Sequence, residues 1–285
     1  MSISRQNITV IIVSFMSEYV IHDCIGSIPK DIKIIIVDNS NNKSFKNEIE
    51  KKYNNVRCLL SENNNGMGAG NNYGLSEIDT DYGFILNPDV VLRNDTIDEI
   101  ILASEKIDAF SIISPIMEDE SYPNYKIKKG DNSINKKDEP FKVMSVDGFS
   151  MLLNIPRLKK LENFRNKKYF DENIFLYLEN DDLCKRIIEN NENIYIVPKS
   201  KIKHLGAKAV NEKYKYEIEL SRNWHWVWSK FYFNKKHYGL LNAYIKVSPI
   251  FMSAIFKMIF YFFINKRKKE IYLFRVLGFL NAAVG

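Results

Sequence analysis

The feature that most constrains this chain is a pair of apolar, β-branched runs set about twenty residues apart. Residues 8–13 read ITVIIV and residues 32–37 read IKIIIV. Runs of this kind belong to strands covered on both faces, because neither face alternates with polar residues. Between them, Val20, Ile21, Cys24, Ile25 and Ile28 fall on one face of a helix. The alternation continues through a polar helix over residues 45–53 and a strand over 56–60. A Gly/Asn-rich loop then enters a helix, and a strand covers 82–86. A helix over 96–106, capped by Asn94 or Asp95, and a strand over 110–114 follow. This order predicts an α/β fold with a mostly parallel central sheet and helices on both faces. In such sheets ligands bind beyond the carboxyl ends of the strands.

The rest of the chain is placed more coarsely. Residues 118–140 are polar and Lys/Asn-rich, which predicts a loop or flap. Residues 142–154 read as strand material around Asp147-Gly148, 179–190 as a helix, 194–197 as a strand, and 213–233 as a long aromatic helix. The opening segment has a short β-branched run and no small-residue cleavage site, so it reads as a strand and not a secretory leader. With 285 residues and 45% hydrophobic content, a sizeable core is affordable. The formal charge of +6 is too small to argue for nucleic acid. Three widely spaced cysteines, Cys24, Cys58 and Cys184, fit a reducing cytosol and exclude a zinc framework.

Several residues can carry chemistry at the strand ends. Asn87-Pro88-Asp89 stops a strand, since proline has no N–H to continue the ladder, and sets a carboxylate at its tip. A hard divalent cation takes such an oxygen ligand and shares it with substrate phosphates, although the same tripeptide also makes an ordinary turn. Asp38, followed by Asn39, ends another strand and can accept from a ribose hydroxyl or a base N–H, or merely cap a turn. Gly66, Gly68 and Gly70 allow backbone N–H groups near a phosphate at a helix start. Their spacing and their place after the third strand disfavour a dinucleotide site. Glu179 and Asp182 are spaced i, i+3 on one helix face, where a carboxylate could deprotonate a hydroxyl or simply favour the helix N-terminus. His204, shortly after a strand, could ligate a metal, contact a diphosphate, or be structural.

The series VIIVSF, IIIVDNS, NNNGMGAGNN, FILNPDV, GFSMLLN, FDENIFLYLENDDLCKR and VPKSKIKH, in this order over residues 8–206, resembles the family 2 glycosyltransferases. It is most similar to the bacterial rhamnosyltransferase-like branch of O-antigen and capsular polysaccharide synthesis. The resemblance implies a GT-A fold and inverting transfer from a nucleotide-sugar donor, with a divalent metal, Mg or Mn. It implies nucleoside contacts at Asp38, donor contacts at Asn39, Asn71, Asn72 and Asn87, and metal and diphosphate at Asp89, with His204 matching the family's histidine. The family's Glu-Asp pair supplies the base. Here Asn180 follows Glu179, and an amide cannot be a base. Glu179 therefore stands first, with Asp182 and Asp181 behind it. dTDP-rhamnose is the donor expected by resemblance, with UDP-hexoses close behind, and the acceptor expected is a glycan or lipid-linked glycan.

Residues 244–264 are strongly apolar but carry Lys246, Pro249 and Lys257, and Lys266-Arg267-Lys268-Lys269 follow. The two lysines are eleven positions apart and fall within about 20° on a helix. This predicts an in-plane amphipathic tail over 241–285 on an anionic inner leaflet, or a helix packed on the domain or on a dimer partner. The expected layout is a catalytic domain over 1–240, with a nucleotide-sugar half over 1–115 and an acceptor half over 141–240. The expected location is cytoplasmic and peripheral at the inner membrane face. A nucleotidyltransferase is the nearest rival among enzymes, but Val13-Ser14-Phe15-Met16-Ser17 lacks its glycine-rich, Lys/Arg-bearing loop. A non-catalytic carbohydrate- or lipid-binding module, or a scaffold for polysaccharide assembly, is the alternative that Asn180 favours.

Overall fold

The computed structural model describes residues 3–128, 130, 138–164, 168–206 and 212–285. Two compact units divide it, one of residues 1–171 with 180–209 and one of 172–179 with 210–285. In the first, β1 (Ile8–Ser14), α1 (Ile21–Ser27), β2 (Lys33–Asp38), α2 (Lys43–Lys52), β3 (Val56–Leu60), α3 (Gly66–Ser76) and β4 (Tyr82–Leu86) follow the predicted alternation. They continue as β5 (Val90–Leu92), α4 (Thr96–Ser104), β6 (Ile112–Met117), β7 (Tyr125–Lys126), β8 (Phe141–Val143), β9 (Ser145–Val146) and β10 (Ser150–Asn154). The one-turn α5 (Ile155–Leu158), α6 (Glu179–Glu189) and β11 (Ile194–His204) complete this stretch.

The main sheet runs β3-β2-β1-β4-β10-β6-β11-β5, with β8 on β11. β3, β2, β1 and β4 are parallel neighbours, and β6 and β11 are parallel to each other. β10 enters antiparallel between β4 and β6, and β5 closes antiparallel on β11. The β-branched runs are buried on both faces as their composition requires. Val10 and Ile12 pack with Ile21, Cys24, Phe45 and Ile49, whereas Ile11 packs with Leu75, Leu183 and Ile187.

The glycine-rich stretch differs from its expectation. It is the body of α3, not a loop. A Cβ on Gly70 would lie 2.8 Å from Val13 Cγ1, and one on Gly74 2.5 Å from Ile11 Cγ2. These glycines let a helix lie directly on β1. Asp95 sits at the start of α4 without a capping side-chain bond; Thr96 Oγ1 accepts from the Arg93 N–H instead (2.8 Å). Of the polar stretch 118–140, residues 129 and 131–137 lie outside the described residues. Its described part includes β7, paired with β9.

The second unit contains α7 (Lys215–Tyr238), α8 (Leu240–Phe260) and α9 (Lys266–Val284) around Val227, Phe231, Ala243, Val247, Phe279 and Ala282. Gly239, at φ 87°, turns the chain between α7 and α8. By packing, α7 groups with the two helices after it. Ala243, Val247 and Ala254 form the inward seam of α8, while Ile245, Met252, Phe256 and Ile259 are exposed. By length and composition alone, α8 is apolar enough to cross a membrane.

Candidate active site

The sheet register gathers strand ends along one edge. Ser14 pairs with Asp38, Ile12 with Leu86, and Leu86 with Ser150. β11 runs parallel to β6, so its last residue, His204, reaches the same edge, beside Val90 of β5. This brings together two predicted residues far apart in sequence. His204 Nε2 lies 3.3 Å from Asp89 Oδ1, with the Asp89 side chain 5% exposed. The His204 ring stacks on Phe149 at 4.3 Å, and the Leu205 N–H donates to the Asp89 carbonyl (2.9 Å).

The Asn87-Pro88-Asp89 segment is a true turn, closed by Val90 N–H donating to the Asn87 carbonyl (3.1 Å). The Asn87 N–H also donates to the Phe149 carbonyl (3.0 Å). The Asn87 Oδ1 atom is buried with no hydrogen-bond partner among the described residues. So are Ser14 Oγ, Asn39 Oδ1 and Ser150 Oγ on the same edge, and Asn71 Oδ1 in α3. Each such atom costs about 1–3 kcal/mol unless a ligand or water meets it. Ser14 and Ser150 were not singled out from sequence; an isolated serine at a strand end carries no signal until its neighbours are known.

The other predicted residues divide by what they already hold. Asp38, 1% exposed, accepts from Ser40 Oγ (2.7 Å), Ser40 N–H (3.3 Å) and Asn42 N–H (2.7 Å). It orders its own loop, in which Asn41 takes φ 53°. Asn39 donates through Nδ2 to Asn64 Oδ1 (3.2 Å) and to the Gly66 carbonyl (3.1 Å), tying that loop to the start of α3. Asn72, expected near the donor, clasps a distant backbone. Its Oδ1 accepts from the Tyr169 and Phe170 N–H groups (3.0 and 2.9 Å), and its Nδ2 donates to the Phe170 carbonyl (2.8 Å).

The carboxylates of α6 separate in the same way. Asp182 is fully buried and paired with Arg186 Nε at 2.8 Å, and Arg186 also donates to the Tyr169 carbonyl. Its carboxylate is therefore already engaged by Arg186. Asp181 is paired with Lys126 Nζ at 2.7 Å. Asn180 donates through Nδ2 to the Val146 carbonyl (2.8 Å), a bond an ionised aspartate could not make.

Glu179 begins α6 and falls with the second unit. It follows Tyr177 and Leu178, both left-handed at φ 70° and 68°. Two consecutive bulky residues there cost about 1–3 kcal/mol each and persist only where packing imposes them. Ser229 Oγ, donating to the Leu176 carbonyl (2.7 Å), and His225, stacked on Phe175 at 4.3 Å, supply that packing. Burial pushes the His225 pKa down to about 4.

Sequence also passed over Asp147 as a site residue. Its carboxyl titrates above the usual range, chiefly because it is partly buried, with Asp181 adding to the rise and Lys126 and His204 opposing it. Its only sequence signal is an acid before glycine at the head of an apolar strand.

No group of three or more His, Cys, Asp or Glu side chains is gathered for a metal among the described residues. The Asp89 carboxylate, with His204 beside it, nevertheless suits a hard cation that keeps its remaining positions for phosphate oxygens and water.

Residues 9–162, more than half of the chain, match the profile of glycosyl transferase family 2. The chain belongs to this family. It is similar to the low-salt glycan biosynthesis hexosyltransferase Agl10 of Haloferax volcanii, at 24% identity over 66% of this chain and 64% of Agl10. It thus spans somewhat less than two thirds of that relative. Among solved structures it resembles GalNAc-T7 with UDP, GalNAc and Mn2+ (TM-score 0.56, 14% identity, 79% of this chain and 50% of that one). It also resembles S. aureus TarS 1-349 in complex with UDP (TM-score 0.54, 14% identity, 97% and 90%). These likenesses are of fold, and they match the family 2 chain's GT-A architecture.

Proposed function

We propose that this chain is an inverting glycosyltransferase that moves a sugar from a nucleotide-sugar donor to an acceptor hydroxyl. The observation that carries this is the Asp89–His204 pair on an edge lined with unmet buried polar atoms. In this reading the nucleoside lies at the loop that Asp38 orders, and the diphosphate lies at Asn87, Asp89 and His204. Asn39 and Asn71 offer buried oxygens toward donor hydroxyls or N–H groups. A divalent cation, Mg or Mn, held by Asp89 and His204, would supply positive charge to the leaving diphosphate. The chain's own part is alignment and proton removal. The turn at Asn87 and the stacked Phe149–His204 pair hold the donor end rigid, and a carboxylate takes the acceptor's proton as the new bond forms.

dTDP-rhamnose remains the donor suggested by resemblance. The TarS structures hold UDP and UDP-GlcNAc, which puts UDP-sugars beside it. A thermal-shift screen of dTDP- and UDP-sugars with and without manganese tests the proposal. A donor that stabilises only with metal, and not in Asp89→Ala, supports it; no stabilisation by any donor removes it.

We further propose that the second unit docks on an anionic membrane surface, presenting the enzyme to a lipid-linked glycan at the cytoplasmic face. Phe262, Phe263 and Ile264 are 58%, 93% and 65% exposed and are separated by Asn265 alone from Lys266, Arg267, Lys268 and Lys269. Apolar groups beside a basic cluster suit an anionic leaflet. Flotation with phosphatidylglycerol vesicles, lost in Phe263→Asp, is expected; equal flotation of both proteins excludes this surface.

A non-catalytic binding or scaffold role is favoured by one observation, the amide at position 180. Metal-dependent release of nucleoside diphosphate by the wild type rules it out.

A further inference from the structure

The segment from Val146 to Phe149 is held at every point except one side chain. Val146 pairs with Tyr125 in the β7–β9 ladder, and its carbonyl accepts from Asn180. The Asp147 N–H donates to the Asn124 carbonyl (2.9 Å), and Asn124 is itself fully buried, bonded to Pro115 and Met117. The Phe149 carbonyl takes the Asn87 N–H, and its ring lies on His204. The exception is the Asp147 carboxylate. It is half-buried, and it makes no hydrogen bond or ion pair among the described residues. A carboxylate so placed is partly desolvated yet still open to solvent, so a ligand hydroxyl can meet it without displacing a protein hydrogen-bond partner.

Its surroundings assign it a task. Two of the neighbouring acids on α6 are committed, Asp182 to Arg186 and Asp181 to Lys126, and position 180 holds an amide; Glu179 is the remaining acid at the start of that helix. A Cβ added to Gly148 would lie 3.2 Å from Asn180 Cβ, so the 146–148 segment lies directly against that amide. Resting on the transferase reading above, we propose that Asp147 is the carboxylate that takes the proton from the acceptor hydroxyl, beside the place where Asn180 cannot. The acceptor oxygen forms its bond to the anomeric carbon as the bond from that carbon to the diphosphate oxygen breaks. The hydroxyl proton passes to Asp147, and the bonding pair leaves with the nucleoside diphosphate. Partial burial, which raises the Asp147 pKa, suits a proton acceptor.

The test uses the full chain with manganese and two probes, UDP-GlcNAc and dTDP-rhamnose, following release of nucleoside diphosphate to water. Asp147→Asn is expected to lower kcat at least 100-fold, with UDP affinity within about threefold of wild type and an unchanged melting temperature. Asp147→Glu, which keeps a carboxylate, should recover part of the loss. An Asp147→Asn protein that keeps more than a tenth of kcat overturns the proposal. So does one that loses UDP affinity as far as it loses turnover, which would make Asp147 a donor-binding group. Loss in Glu179→Gln with activity kept in Asp147→Asn gives the proton to Glu179 and likewise overturns it. A wild type that binds neither donor nor UDP fails the transferase reading itself, a result separable from the variant outcomes.

Discussion

Two aspartates end neighbouring stretches of the same sheet, and their surroundings differ. Asp38 closes β2 and spends both carboxylate oxygens on its own loop, accepting from Ser40 and Asn42. Asp89 follows β4, is also buried, and among the described residues its side chain pairs with the His204 ring alone, at 3.3 Å. The first builds a surface; the second is left for something to bind. Burial alone therefore does not mark a functional acid. What separates the two is whether the local backbone already satisfies the charge.

The largest expected effect breaks the comparison at Asp89. Asp89→Ala should lower nucleoside diphosphate release at least 100-fold while shifting the melting temperature by no more than about 2 °C, because its charge serves the ligand. A variant that unfolds instead would make Asp89 structural, like Asp38. Next comes the metal. EDTA should abolish release and manganese restore it, and His204→Ala should cost about 10- to 100-fold in metal affinity or rate. Full activity in EDTA would remove the cation from this site.

At the other strand end the sign of the effect changes. Asp38→Ala leaves two backbone N–H groups without their acceptor, and a stability loss of about 2–3 kcal/mol is expected in urea unfolding. An unchanged urea midpoint would erase the distinction. The smallest effect sharpens the same point at Asn72, which also holds backbone. Asn72→Ala should cost about 1–2 kcal/mol, with UDP affinity unchanged. Weaker UDP binding at wild-type stability would return Asn72 to the donor site.

Much of the fold was legible because its causes are local. Runs such as ITVIIV are short and β-branched, which favours strands buried on both faces, and the spacing of Leu183, Ile187 and their neighbours favours a helix face. The Gly66–Gly70 stretch was misplaced because the demand on it is not local: Gly70 and Gly74 are small so that Val13 and Ile11 can approach. The α6 acids were ambiguous for the same reason. Glu179, Asp181 and Asp182 read alike until Arg186 and Lys126 are seen to claim two of them. Asp147 was passed over because its distinction is a carboxylate with no hydrogen-bond or ion-pair partner among the described residues, which no string of letters displays.

The sequence by itself determined the strand-helix alternation, the carboxylate set at the tip of a strand by Asn87-Pro88-Asp89, and the amide at position 180. These follow from side-chain chemistry and from periods of two and 3.6 along the chain. Only the tertiary structure decided which polar groups remain unmet. His204 joins Asp89 through the pairing of β11 with β5, and the segment that carries Asp147 is fixed by the Asp147 N–H donating to the Asn124 carbonyl and the Asn87 N–H donating to the Phe149 carbonyl. Those contacts bridge long stretches of chain, and hydrogen-bond satisfaction, being a property of the folded neighbourhood, is settled only when they form.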